Sequence, residues 1–209
     1  MLKIYFHPLS FPSLMPIFTA EAAGKPYEKI MVDFASRQHK SPDYLKINPF
    51  GRIPAMSDGE FNLSESLAIS RYIARGSSLY PDDAKAQGLI DQWADFSVHH
   101  IRVNIGRVQF NRVVAPMMGV KVDESSIALG LKLLHDNLPF VESRLSEFPF
   151  LCGDTLTLAD LSLLAALEPE ATAKVDLSPY PKLQAWLAAK RSETFYTNVH
   201  SHFGAELGM

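Results

Sequence analysis

Strand-like sequence in this chain ends before Gly76, and beyond the turn-rich segment that follows, apolar residues keep only helical spacing. The chain is thereby limited to folds in which all strands come first and helices follow alone. Before the break, Leu2-Lys3-Ile4-Tyr5-Phe6 reads as a strand, a helix fits from about Ser13 to Ala23 with Gly24 as its stop, and Tyr27-Glu28-Lys29-Ile30-Met31-Val32 reads as a second strand. Ser41-Pro42 starts a short helix. Asp58-Gly59 suits a two-residue hairpin turn from Ala55-Met56-Ser57 into Glu60-Phe61-Asn62-Leu63, and another helix opens at Glu65-Ser66 and ends at Gly76. After the break, Leu89, Trp93, Phe96 and His100 keep helical spacing, and Ile127, Leu131, Leu134, Leu138, Val141, Leu145 and Phe148 alternate steps of four and three. Thr157-Leu158-Ala159-Asp160 forms a capping box for a helix with leucine on most faces, which predicts that it occupies the centre of the helical part. Pro181 to Leu187 and Phe195 continue that pattern.

The order βαβ, short α, ββα is that of a thioredoxin-like domain. The expected fold is an α/β N-terminal thioredoxin-like domain over 1–76, a linker over 77–84 and an all-α C-terminal helical domain over 85–209. With 47% hydrophobic residues in 209, the chain can bury full cores. A net charge of −3 with no basic run argues against nucleic acid or anionic membrane as partners. Met1-Leu2-Lys3-Ile4-Tyr5 leads into a strand without the apolar region of a signal peptide, so a soluble cytoplasmic protein is expected. The single cysteine, Cys152, excludes an intramolecular disulfide and reads as a small, inert, buried thiol. His99 and His100 point in different directions on a helix, one inward and one outward, and lack acidic or thiol partners at ligand spacing, so no metal site is expected.

The segment Asn48-Pro49-Phe50-Gly51-Arg52-Ile53-Pro54 is built to hold a peptide. Pro54 cannot donate a ladder hydrogen bond, and its place just before a short strand fits a cis peptide that turns the preceding backbone outward. Ile53 then offers a free N–H and C=O, with which an extended peptide can pair as an added strand. At Glu65-Ser66 the next strand gives way to a helix. Its first N–H groups and the Ser66 hydroxyl can bind a carboxylate while Glu65 pairs with an amine, the two charges of an α-amino acid head group.

At these residues the chain resembles the glutathione transferase family, whose pattern N-P-x-G-x-x-P, then D-G, then E-S-x-A-I-x-x-Y stands here as Asn48 to Tyr72. The resemblance covers nearly the whole chain and is weakest between about Asn104 and Lys121. It implies glutathione as co-substrate with no further cofactor, a hydrophobic small-molecule electrophile bound by the helical domain, and a homodimer that joins the N-terminal domain of one subunit to the helical domain of the other through residues such as Phe61, Trp93 and Phe96. His39 and Lys40 match residues that bind the glycyl carboxylate in the plant-type branch. Arg52 stands where that branch often carries Gln, and is taken as a further contact to the tripeptide.

A redox thioredoxin-like domain needs Cys-x-x-Cys at the start of its first helix, where this chain has Ser10-Phe11-Pro12-Ser13. A hydroxyl there can donate to an anion, and the implied anion is the glutathione thiolate. Lowering a thiol pKa by about two units takes about 2.7 kcal/mol, within reach of one charge-assisted hydrogen bond and a helix terminus. His7-Pro8-Leu9-Ser10 resembles the serine-type plant and theta-like transferases and favours Ser10. Ser13-Leu14-Met15-Pro16 resembles the bacterial beta class and keeps Ser13 as an alternative, and Tyr5 lies where tyrosine-type members carry their hydroxyl. Leu14 and Met15 stand where serine-type members usually have arginine. That departure sustains a binding protein without turnover as an alternative to conjugation, and because a thiolate can attack many centres a glutathione-dependent peroxidase, isomerase or ether-cleaving enzyme is another. Phe110, Met117 and Met118 read as packing residues in preference to walls of the electrophile pocket.

Overall fold

In the computed structural model, which describes residues 1–201, chain contacts separate two units: Met1–Asp82 together with the described residues from Ser192, and Asp83–Arg191. The 85–209 segment expected to be helical thus runs past the described residues, and its described end from Ser192 groups with the first unit.

The first unit is built on a mixed sheet of β1 (Leu2–Phe6), β2 (Tyr27–Met31), β3 (Ala55–Asp58) and β4 (Phe61–Ser64), in the order β2-β1-β3-β4. β1 runs parallel to β2 and antiparallel to β3, and β3 pairs antiparallel with β4 through the expected Asp58-Gly59 hairpin, where Gly59 takes φ 60°. Helices α1 (Phe11–Ala22) and α3 (Ser66–Ala74) pack together, and the short α2 (Pro42–Ile47) contacts β3. Ser41 begins α2 by accepting from Tyr44 N–H at 3.2 Å, with Pro42 in the first turn where its missing N–H costs nothing. Ile4, Phe6, Leu14, Ile17, Phe18, Met56 and Ile69 are buried in the main core of this unit. Val32, Tyr44 and Ala55 form a smaller cluster with Tyr5, Ile47 and Ile53 packed on it.

The last described helix, α10 (Thr194–His200), covers α1: the Phe18 ring lies 6.2 Å from Phe195 and 5.4 Å from Tyr196. Spacing along the chain attaches Phe195 to the preceding helices, whereas its partner in space is the fully buried Phe18.

The second unit begins with α4 (Ala84–Phe96), which passes through a π-helical stretch at Ser97–Arg102 into α5 (Val103–Gln109), and through another at Phe110–Val114 into α6 (Ala115–Met117). In the wider first stretch each residue turns through a smaller angle, so His99 and His100 are both exposed, against the expectation of one inward and one outward. α7 (Glu124–Glu147) buries Ile127, Leu134, Leu138, Val141 and Leu145, but Gly130 joins this seam where Leu131 was expected. A Cβ on Gly130 would lie 2.8 Å from Val108 Cγ2 and 2.9 Å from the Asn104 carbonyl, so α5 and α7 cross where only a hydrogen fits.

Every residue of α8 (Leu158–Leu167) is buried, as its leucines predict. It packs against α4, where the Ser162 hydroxyl donates to the Ala94 carbonyl at 3.0 Å. Asp160 accepts from Thr157 N–H, the Thr157 hydroxyl and Leu151 N–H, each at 2.9 Å, so the capping box also ties down the preceding loop. Burial raises the Asp160 pKa, against the pull of these donors. α9 (Pro181–Arg191) closes the unit, and Glu142 of α7 accepts from its first N–H groups, Lys182 and Leu183, both at 2.9 Å. Met117 and Met118 are 79% and 66% exposed at the end of α6, and Phe110 is 44% exposed, which overturns the expectation that they pack. Among the described residues, no helix is long and apolar enough to cross a membrane.

Candidate functional site

Sheet register brings the expected site segments to one end of the first unit. Tyr5 pairs with Ala55, Ala55 with Ser64, and Phe6 with Met31. The ends of β1, β2 and β4 and the start of β3 therefore lie in one row. From that row leave the turn to Ser10 and α1, the loop to His39 and Lys40, the segment arriving from Arg52 to Pro54, and the step from Ser64 to Glu65-Ser66. Such a strand edge, with helices starting beside it, is where sheets with helical cover place ligands.

Ser10 precedes α1 in extended conformation, φ −102° and ψ 90°, and its hydroxyl caps nothing. Its N–H donates to the His7 carbonyl at 2.9 Å, and its own carbonyl accepts from Ser13 N–H at 2.7 Å. The backbone is thus fixed and the half-buried hydroxyl is uncommitted. Ser13 differs: it is fully buried, and its hydroxyl has no hydrogen-bond partner and no path to solvent. Tyr5 points its ring edge-on at Tyr44, 5.8 Å away, within the small cluster. Of the three hydroxyls weighed from sequence, only that of Ser10 combines a helix start with access. Leu14 and Met15, 1% and 2% exposed, belong to the core, so the arginine missing there would have had no solvent to reach.

The Ile53–Pro54 bond is cis, as Pro54's position predicts. Strand pairing begins only at Ala55, and no hydrogen bond among the described residues uses the Ile53 N–H or C=O. The segment before it is held from behind: the Arg52 carbonyl accepts from the Tyr44 hydroxyl at 2.7 Å and from Asn48 Nδ2 at 2.6 Å. Burial pushes the Tyr44 phenol far above its usual range, so it remains a donor. Tyr44 is missing from the sequence-based site, and Asn48 enters it only as the first residue of the peptide-holding segment. The Arg52 side chain itself is exposed.

Lys40 does not stand free. Its ammonium donates to the Gly51 carbonyl at 2.7 Å and to that of Phe50 at 3.4 Å, so besides any ligand it secures the Asn48–Arg52 loop. Gly51 has φ 57°, and a Cβ there would meet Lys40 Nζ at 2.8 Å and the His39 carbonyl at 2.9 Å. Gly51→Ala is therefore expected to destabilise the protein by about 1–3 kcal/mol and to weaken glutathione binding with it, measured by urea unfolding and calorimetric titration. His39 packs edge-on against Phe34 at 4.8 Å, its Nδ1 is buried without a partner, and burial, with Lys40 and Arg37 beside it, lowers its pKa.

Glu65 immediately precedes α3, exposed, with φ 73° and ψ 119°. A non-glycine residue held in so sparsely populated a region stores about 1–3 kcal/mol, a strain that concentrates at ligand sites. Ser66, the first helical residue, is 5% exposed. Cys152 is half-exposed and lies outside these segments, and burial pushes its thiol up to about 11, keeping it inert. Among the described residues, no three of His, Cys, Asp and Glu come together to hold a metal.

This geometry has relatives. The N-terminal domain model of glutathione S-transferase matches residues 2–75 and its C-terminal domain model matches 124–189. A probable glutathione S-transferase of Oryza sativa subsp. japonica is 33% identical over 88% of this chain and 89% of its own. The theta-2B glutathione S-transferase of Homo sapiens is 31% identical over 99% of this chain and 83% of its own. Among solved structures, a maize glutathione S-transferase I in complex with an atrazine glutathione conjugate superposes with a TM-score of 0.85 at 29% identity, covering 97% of both chains. Domain order, whole-chain identity and a shared fold lead to one conclusion: this chain belongs to the glutathione S-transferase family.

Proposed function

We propose that this protein conjugates glutathione to hydrophobic electrophiles, with glutathione bound at the row of strand ends. The uncommitted Ser10 hydroxyl and the unpaired Ile53 backbone, on segments that leave the same end of the sheet, are the observation that carries this reading. Ile53 N–H and C=O pair with the cysteinyl backbone of the tripeptide. Glu65, Ser66 and the first N–H groups of α3 take the γ-glutamyl head group, and its amine explains why Glu65 is held in a strained conformation. His39 and Lys40 face the glycyl carboxylate, with Arg52 as a further cation. The Ser10 hydroxyl donates to the sulfur and favours its anionic form. That thiolate attacks the electrophilic carbon, a carbon–sulfur bond forms, and the leaving group departs with its electron pair.

The chemistry calls for no cofactor beyond glutathione as co-substrate. The electrophile pocket falls to the helical unit, and its exposed Phe110, Met117 and Met118 suit that use. The same reading makes the protein a cytoplasmic homodimer active in detoxification. Support for the dimer comes from the Phe61–Tyr72 ring pair, 5.4 Å apart and exposed on the first unit, and from the apolar depression that Trp93, Phe96 and Phe140 line on the second.

Glutathione consumption with a generic aryl halide, compared with Ser66→Ala, tests the function and its head-group clamp together. The wild type should turn over, and Ser66→Ala should weaken glutathione affinity by about threefold to tenfold. A protein that binds glutathione but consumes none with aryl halides or peroxides, and forms no product from isomerisable substrates, would instead be the non-catalytic binding protein.

A further inference from the structure

The turn leading into α1 carries a titratable group that the proposed chemistry leaves unused. His7 Nδ1 accepts from Leu9 N–H at 3.2 Å, and the His7 carbonyl accepts from Ser10 N–H at 2.9 Å. One residue thus receives the N–H groups of both Leu9 and Ser10 and fixes where Ser10 begins the helix. On its other flank the imidazole rests against Phe34, ring centres 5.0 Å apart, and Phe34 in turn abuts His39. The loop after β2 therefore holds the ring in place against the turn.

An imidazole nitrogen accepts a hydrogen bond only while it carries no proton. Once Nδ1 is protonated it must turn away from Leu9 N–H or oppose it. Charged groups face the ring from the same loop: Asp33 directly, and beyond Phe34 the His39 ring, flanked by Arg37 and Lys40. Asp33 stays ionised, since Ser36 and Ala35 donate to its carboxylate. Burial of the His7 ring lowers its pKa and outweighs the opposing pull of Asp33. The neutral, accepting form is thus the resting state near neutral pH.

We infer that His7 is a positioning residue and proton-sensitive latch: neutral, it holds the Pro8-Leu9 turn that presents the Ser10 hydroxyl to the sulfur, and protonated, it gives up the Leu9 N–H and leaves that turn on the Ser10 backbone bond alone. The inference rests on the proposed role of Ser10. It makes acid inactivation a two-proton event, one proton taken by the glutathione sulfur and one by His7.

Asparagine supplies the discriminating variant. Its side-chain oxygen can accept the N–H two residues on, as in an Asx turn, and it does not titrate. His7→Ala should lower kcat roughly threefold to tenfold, the worth of one hydrogen bond, with KM for glutathione nearly unchanged. His7→Asn should restore kcat. On the acid side, log kcat/KM of the wild type should fall about half to one log unit further than that of His7→Asn, whose limb keeps a slope of about one. If Ser10→Ala loses turnover while His7→Ala keeps it, the latch is overturned and the site reading stands. If neither variant changes turnover, both fall. Should His7→Ala not fold, a folded His7→Asn with the wild-type acid limb overturns the latch by itself.

Discussion

Replacing Ser10 with alanine should lower turnover at least about tenfold and raise the pKa of enzyme-bound glutathione by about one unit, equivalent to roughly 1.4 kcal/mol. Ultraviolet titration of the thiolate in the complex measures the second effect directly. Stability should hardly change, because the Ser10 hydroxyl bonds nothing in the ligand-free protein. Ser13→Ala is the matched control: it removes a buried hydroxyl without a partner, so turnover should stay and stability should stay or rise. Tyr5→Phe should likewise leave the titration alone, since that ring packs edge-on against Tyr44. If the thiolate instead ceases to form in Ser13→Ala or Tyr5→Phe, the role belongs to that residue.

Asp160→Ala should bring the largest loss of stability of any substitution considered. It leaves the N–H groups of Leu151 and Thr157 without acceptors in a place that water does not reach, and it frees both the start of α8 and the preceding loop. Two orphaned buried donors and a lost cap together come to about 3–5 kcal/mol, read from the urea midpoint. A shift below about 1 kcal/mol would mean that the loop finds other acceptors and that α8 is held by its leucines alone.

The features legible in the sequence are those whose cause is local. Asp58-Gly59 dictates its own hairpin, Pro54 constrains its own peptide bond, and Thr157 with Asp160 caps its own helix. The helix-start segments of the site were legible for the same reason, since a strand that ends at Glu65-Ser66 opens free N–H groups wherever it sits. What stayed hidden depends on partners distant along the chain. Periodicity cannot show that Gly130 and not Leu131 faces α5, because the need for a missing side chain is set by Asn104 and Val108. Nor can it show that Lys40 is engaged by the Gly51 carbonyl, or that Ser13 is sealed while Ser10 is open. Both serines start the same helix, and only burial separates them. The π-helical stretches carry no signal of their own in composition, which is why the exposure of both His99 and His100 went unforeseen.

The aligned strand ends have a counterpart at the opposite edge of the sheet. There lie Met1, the Gly24 to Pro26 turn and the Asp58-Gly59 hairpin, while the row joining Tyr5, Ala55 and Ser64 stands one strand length away. Gly24 and Gly59 each open onto empty space, and Lys25 and Pro26 are exposed. Changes in chain length are therefore absorbed at one edge without disturbing the register that sets the other. An engineer who needs a fluorophore, an affinity handle or an inserted domain has a natural place for it at the Gly24 turn, and the same division leaves evolution free to vary that edge while the chemistry stays where it is.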